Sequence, residues 1–261
     1  MSTHAIHPTA IIGPQTELGE NVSIGPYSII EGDVFIDSGT QIGAHVYIDR
    51  YTRIGKNCRI SPFASIGTPP QDKKFKGEKT QAVIGDENVI REYVTINRGT
   101  SEGGGLTTIG NQNLLMAYCH VAHDCHLGNG IVMANLATLA GHVILEDYSI
   151  LGGLAAIQQF VRVGAYAYIG GKSGVLKDIP PYVIASGDRA KLFGLNVVGL
   201  KRHDFSNDII AALKEAYQIV IRSHLTIKEA IIRVEKEVPS FPEVRRFIDF
   251  IRNSQQGINR R

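Results

Sequence analysis

The sequence predicts a mainly β fold, a parallel β-helix of hexapeptide repeats wound into a triangular prism and followed by a C-terminal α-helical domain. Three observations carry this. An aliphatic residue recurs at every sixth position through the first two thirds of the chain, glycine commonly follows it, and both patterns stop near Pro180-Pro181, where helical signals begin. A helix would need recurrence at three and four residues, and a simple strand at two.

The step of six runs from Ile6 through Ile12, Leu18, Ile24, Ile30, Ile36, Ile42, Ile48, Ile54 and Ile60 to Ile66. It returns at Ile84, Ile90 and Ile96, then resumes one residue shifted at Ile109 and continues without a miss to Val175. The 26 hexads read as short strands separated by turns, with the aliphatic pointing inward. Glycine in the next position (Gly13, Gly25, Gly43, Gly55) is expected to give the corner its special backbone geometry or a close approach. Three hexads make one coil, so residues 18 apart stack roughly 4.8 Å apart and the prism extends on the order of 40 Å.

Two segments interrupt the count, residues 67–83 with four lysines and Pro69-Pro70, and residues 97–108 with Gly103-Gly104-Gly105. Both read as loops leaving the prism, either plain surface loops or functional ones on a rigid scaffold. The expected division is a β-helix over residues 1–185 and a helical domain over 186–261. Within the latter, Ser206 precedes an amphipathic run over 208–222. Thr226-x-x-Glu229 is a capping box before a helix over 230–238. Ser240 with Pro242 and Glu243 opens a last helix through Ile251.

The 261 residues carry 27 basic and 25 acidic side chains, a formal charge of +2 that gives no bulk argument for nucleic-acid binding. No apolar run approaches the ~20 residues that span a bilayer. Met1-Ser2-Thr3-His4 shows no secretory signal, and three cysteines make no disulfide framework, so a cytoplasmic location is expected. Charge divides unevenly. Residues 186–261 hold 14 Lys/Arg against 9 Asp/Glu, a basic cap suited to an acidic partner or simply a solvated face.

The densest chemistry is His120-Val-Ala-His123-Asp-Cys-His126. A metal site is not expected, because His120 and His126 are one hexad apart and fall on different faces. From His123, steps of 18 reach Gly141 and then Gln159, and Asp124 stacks on His142. An imidazole beside an accessible backbone N–H suits acyl transfer to a hydroxyl, with the base taking the proton and the N–H receiving the oxyanion. The alternative is that these outward side chains solvate the face or bond between coils. Cys119 and Cys125 read as small core fillers.

At these residues the sequence resembles the bacterial UDP-N-acetylglucosamine O-acyltransferases of lipid A synthesis, members of the hexapeptide-repeat acyltransferases. The shared motifs include His7-Pro-Thr-Ala, Phe63-Ala-Ser-Ile-Gly, Gln71-Asp-Lys-Lys, Arg98-Gly-Thr, Gly103-Gly-Gly-Leu-Thr, His123-Asp-Cys, Ala137-Thr-Leu-Ala-Gly-His142, Gln159-Phe, Asp178-Ile-Pro-Pro-Tyr and Gly199-Leu-Lys-Arg202. The resemblance implies a left-handed β-helix, a homotrimer and active sites between neighbouring prisms. It implies His123 as general base, Asp124 orienting it, and the Gly141 N–H as oxyanion donor. Gln71, Asp72, Lys74, His120, His142 and Gln159 match substrate-contacting positions. Asn196 and Arg202 match positions near the nucleotide and pantetheine arm, and Gly171 the position that limits acyl length, its missing side chain implying a long chain.

The implied donor is acyl carrier protein, which carries its own phosphopantetheine, so no further cofactor is expected; the implied acceptor is UDP-N-acetylglucosamine. The chain departs from the family at Gln158, where His is common, and at Val198 and His203. Since the resemblance implies that position 158 lies near the acceptor sugar, N-acylation of a 3-amino analogue stands as the alternative. A non-catalytic solenoid scaffold is the alternative from a different class.

Overall fold

The computed structural model describes residues 5–260; Met1–His4, read above for a signal, lies outside the described residues. Strands β1 (Ala5–Ile6) to β26 (Gly174–Val175) each contain the aliphatic of one hexad. Every strand pairs in parallel with the third strand along, so that Ile24 lies beside Ile42 and Ile42 beside Ile60. Three flat faces result, the first through β1, the second through β2 (Ile11–Ile12) and the third through β3 (Glu17–Leu18). The prism is a left-handed parallel β-helix with a C-terminal helical segment.

The hexad aliphatics fill the interior, with Ile36, Ile48, Ile66, Ile96, Leu139 and Ile169 fully buried. The small residue four places on closes each corner from inside. At two of these corners the residue is polar and its buried hydroxyl is satisfied: Ser28 and Thr40 donate to the Gly43 and Gly55 carbonyls, both at 2.7 Å, which offsets the cost of burying them.

Glycine after the aliphatic serves close approach. A Cβ on Gly13 would sit 2.5 Å from the Gly32 nitrogen, and one on Gly110 2.5 Å from the Gly128 carbonyl oxygen. The left-handed backbone expected there lies two residues further on instead, and mostly not at glycine: Tyr27 (φ 59°), His45 (56°), Asp124 (58°) and His142 (61°). A left-handed non-glycine residue costs roughly 1–3 kcal/mol. Side chains at these turns stack from coil to coil, which offsets part of that cost. Tyr27, His45, Phe63, Tyr93 and Tyr118 form one ladder with ring centroids 4.8–5.1 Å apart.

Both excursions leave the corner between the second and third faces. They are shorter than the period breaks suggest, covering 69–80 and 98–105, because four-residue strands extend the coil at their roots. Ser65–Thr68 precedes the first loop and Gln81–Ile84 follows it. Gln81–Ile84 then pairs residue for residue with Leu106–Ile109. The expected boundary after residue 185 falls within β27 (Val183–Ser186), which pairs in parallel with β25 (Tyr168–Ile169). An antiparallel β28 (Lys191–Leu195) extends that face further.

Helix α1 (Val197–Arg202) follows, unannounced by any periodicity. Ser206 caps α2 (Asn207–Tyr217), whose last turn widens into a π-helical stretch over Gln218–Arg222. The Thr226/Glu229 capping box opens α3 (Ile227–Glu237), and Pro242 begins α4 (Pro242–Arg252). The helices are tied to the prism by Arg246 on Glu146 at 2.8 Å and by the Ser254 hydroxyl on Asp178 at 2.7 Å. No helix among the described residues is long and apolar enough to cross a membrane.

Candidate active site

Three successive turns at the corner between the second and third faces bring the central residues together. Strands His120–Val121, Thr138–Leu139 and Ala156–Ile157 lie in register, so the turns that follow stack His123-Asp124 on Gly141-His142 and these on Gln159-Phe160. The His142 N–H donates to the His123 carbonyl at 3.0 Å, and the Phe160 N–H to that of Gly141 at 3.2 Å. The two loops spring from the same corner, one and two coils away.

The imidazole of His123 lies flat against Gly141. A Cβ at Gly141 would come within 2.5 Å of its Cε1 and 2.8 Å of its Nε2, so any side chain there would push the ring out of this position. Among the described residues the Gly141 N–H donates to no backbone or side-chain acceptor. His123 Nδ1 bonds to Asp124 Oδ2 at 2.8 Å, which fixes the tautomer and turns Nε2 outward as a proton acceptor.

The Asp124 side chain is fully buried. It accepts from the Thr100 N–H at 2.8 Å and from the Thr100 hydroxyl at 2.7 Å. Its own N–H donates to the Thr107 hydroxyl at 2.8 Å. His142 Nε2 stands 3.7 Å from the same carboxylate; its ring meets His123 edge-on and stacks on exposed Phe160. Burial holds the pKa of His142 below the ordinary histidine value, the nearby Asp124 charge opposing it. His120 is lowered too, by burial and by proximity to His123.

Ligand atoms of His123, Asp124 and His142 lie within 4.8 Å of one another. Both carboxylate oxygens are already taken, by Thr100 and by His123, so the arrangement is that of an oriented base rather than an open metal cradle. His120 and His126 diverge onto different faces, their Nδ1 atoms paired with the Thr95 and Thr108 hydroxyls of neighbouring coils at 2.7 and 2.8 Å. Burial raises the Cys119 thiol to about 11 and the Cys125 thiol to about 12, which leaves neither a nucleophile.

On the first loop Gln71 and Lys74 are exposed. The Asp72 carboxylate accepts from the Lys74 N–H at 2.9 Å, and the Lys74 ammonium reaches Glu102 on the second loop at 3.1 Å. Asn196 is elsewhere, at the corner between the third and first faces. Its amide is committed to capping α1, with Oδ1 accepting from the Gly199 N–H at 3.1 Å and Nδ2 donating to the Tyr166 carbonyl at 3.0 Å. Arg202 ends that helix, exposed. Gly171 occupies the remaining corner, exposed and 3.2 Å, measured from a built Cβ, from the Gly153 carbonyl oxygen. The expected residues thus sit on three different corners of one prism.

Thr100, Thr107 and the buried Arg98, paired with Asp49 at 3.0 Å, were not anticipated as site residues. Only the return of the chain beside Asp124 identifies them. The Arg98-Gly-Thr run was visible, but nothing in its spacing pointed to position 124.

Residues 178–259 match the family model described as UDP-N-acetylglucosamine O-acyltransferase, domain 2. The chain is 56% identical over 255 residues to the acyl-[acyl-carrier-protein]–UDP-N-acetylglucosamine O-acyltransferase of Thermodesulfovibrio yellowstonii, covering 98% of this chain and 99% of the relative. It is 50% identical over 259 residues to the protein of the same name from Janthinobacterium, with 98% and 99% covered. Its fold is similar to the crystal structure of a UDP-N-acetylglucosamine acyltransferase from Bacteroides fragilis, with a TM-score of 0.95 and 46% identity over 97% of this chain and 98% of that one.

Proposed function

Because the chain belongs to the acyl-[acyl-carrier-protein]–UDP-N-acetylglucosamine O-acyltransferase family, we propose that it transfers a β-hydroxyacyl chain from acyl carrier protein to the 3-hydroxyl of UDP-N-acetylglucosamine, the first step of lipid A synthesis. The observation that carries the chemistry is the His123–Asp124 pair held against the bare backbone of Gly141. His123 Nε2 takes the hydroxyl proton as the oxygen bonds to the thioester carbonyl carbon. The Gly141 N–H receives the negative charge on the carbonyl oxygen. Collapse breaks the C–S bond, and the imidazolium returns its proton to the departing pantetheine thiolate. The thioester is already activated, so the step needs no prosthetic group.

Lys74, His120, His142 and Gln159, with Gln71 and Asp72, are proposed to hold the acceptor and donor at this corner. Asn196 acts by fixing α1, whose end presents Arg202 to the nucleotide or the pantetheine arm. Gly171 leaves room for a long acyl chain. These groups lie on three corners of one prism, and a single ligand meets them only if a second copy closes the cleft. A homotrimer with sites between prisms satisfies this. The first face supports it with an outward apolar column of Val89, Leu114, Val132, Ile150 and Tyr168. The cap's 14 basic against 9 acidic residues suit an acidic carrier, and a cytoplasmic location fits these substrates.

The relatives are named as O-acyltransferases, which favours the hydroxyl acceptor over an amine despite Gln158, and a catalyst over a scaffold. Replacing His123 by Ala should lower kcat by about 10²–10⁴-fold, the usual worth of a general base, with the fold intact by circular dichroism. Near-normal turnover in a panel of carrier-bound donors would sink the mechanism.

A further inference from the structure

The second loop folds back so that its backbone and one hydroxyl wrap the carboxylate beside the proposed base. We propose that Thr100 is a positioning residue for acyl transfer, acting through Asp124 to hold the His123 imidazole in its working orientation. The inference rests on the reading of His123 as general base.

The geometry is specific. Thr100 donates twice, through N–H to Asp124 Oδ1 at 2.8 Å and through Oγ1 to Asp124 Oδ2 at 2.7 Å. That Oδ2 is the oxygen that accepts from His123 Nδ1 at 2.8 Å. The Thr100 hydroxyl also accepts from the Gly103 N–H at 3.1 Å, which sets the direction of its proton toward the carboxylate. The loop is shaped for this approach. A Cβ at Gly103 would fall 2.1 Å from the Asp124 carboxyl carbon, and one at Gly99 would fall 2.8 Å from Oδ1. Upstream, Arg98 anchors the loop root through a buried pair with Asp49 at 3.0 Å and a bond to the Gly67 carbonyl at 3.0 Å.

With both Thr100 donors in place Asp124 has one orientation, aimed at His123. Without the hydroxyl, Oδ2 is free to turn toward His142 Nε2, which is only 3.7 Å away. Hydrogen bonds to charged groups are worth enough that losing one should reduce kcat roughly 10- to 100-fold. Thr100 is buried and both of its donors are spent on Asp124, so KM for the sugar nucleotide should change little.

The test compares Thr100→Val, which keeps the shape and removes the donor, with Thr100→Ser, which keeps the donor. Each is made in the otherwise native chain and in an Asp124→Ala background. The expected result is a kcat loss with unchanged KM for Val, near-normal kcat for Ser, and no further loss when Val is added to Asp124→Ala. A Val variant with normal kcat, a Ser variant as impaired as Val, or an additive loss in the Asp124→Ala background would each overturn the proposal. If Asp124→Ala lowers kcat while Thr100→Val does not, the positioning role fails and the general-base reading stands. If His123→Ala and Asp124→Ala are both fully active, that reading fails as well.

Discussion

Much of the site comes down to which atoms are left free at single residues. His123 has one nitrogen tied to Asp124 and the other turned out, and Gly141 is the residue whose missing side chain lets the imidazole lie against backbone. His120 and His142 are held in the neutral state, chiefly by burial. The unfolded chain, with histidines at about 6.5, takes up these protons at higher pH than the folded one. Their contribution to stability is therefore present above that value and lost as pH falls below it. Thermal melts should show the midpoint dropping between pH 7 and 5, and replacing His120 by Asn should flatten that slope. At Gly171, a Met side chain would project where the backbone is now exposed. Gly171→Met should move preference toward shorter acyl donors, and a donor-length panel that returns an unchanged preference would refute the ruler assignment.

The hexad is the unit at the scale of the element, and its physics is legible in one dimension. The inward aliphatic, the small corner residue and the glycine needed for close approach recur because each coil repeats the geometry of the last. Steric demand at the glycine predicts that Gly110→Ala, whose Cβ would meet the Gly128 carbonyl at 2.5 Å, destabilises the prism. Overpacking of this kind costs typically about 1–3 kcal/mol, measurable by denaturant unfolding. The helix caps were equally readable: Ser206 and the Thr226/Glu229 box each place an oxygen on an orphan N–H. Less readable were the left-handed turn positions. Side chains of several kinds hold them in place of glycine, many of them aromatic or His, and for the rings stacking between coils adds a stabilising term that local propensity omits. Helix α1 was missed for a related reason. It is six residues long and held by the Asn196 cap and the buried Leu200 rather than by an amphipathic period.

The whole molecule is a rigid ruler with a helical cap, and its proposed sites need neighbours. Native mass spectrometry should find three copies, and cleft residues should lose activity together when the apolar column is broken by Ile150→Glu. A fully active monomer would rule out the shared cleft. From one chain's sequence came the period, the 26 hexad strands though not β27 and β28, the pairing of His123 with Gly141, the stack of Asp124 on His142 and the place of the two loops. All of these follow from a local pattern repeated at fixed spacing, since a solenoid turns distance along the chain into position in space. Only the tertiary structure decided how the loops end. It shortened them to 69–80 and 98–105, joined them through Lys74 and Glu102, and brought Thr100 onto the carboxylate of Asp124. A loop has no repeat to count, so its side chains find their partners through packing in three dimensions, and there the sequence carries no register.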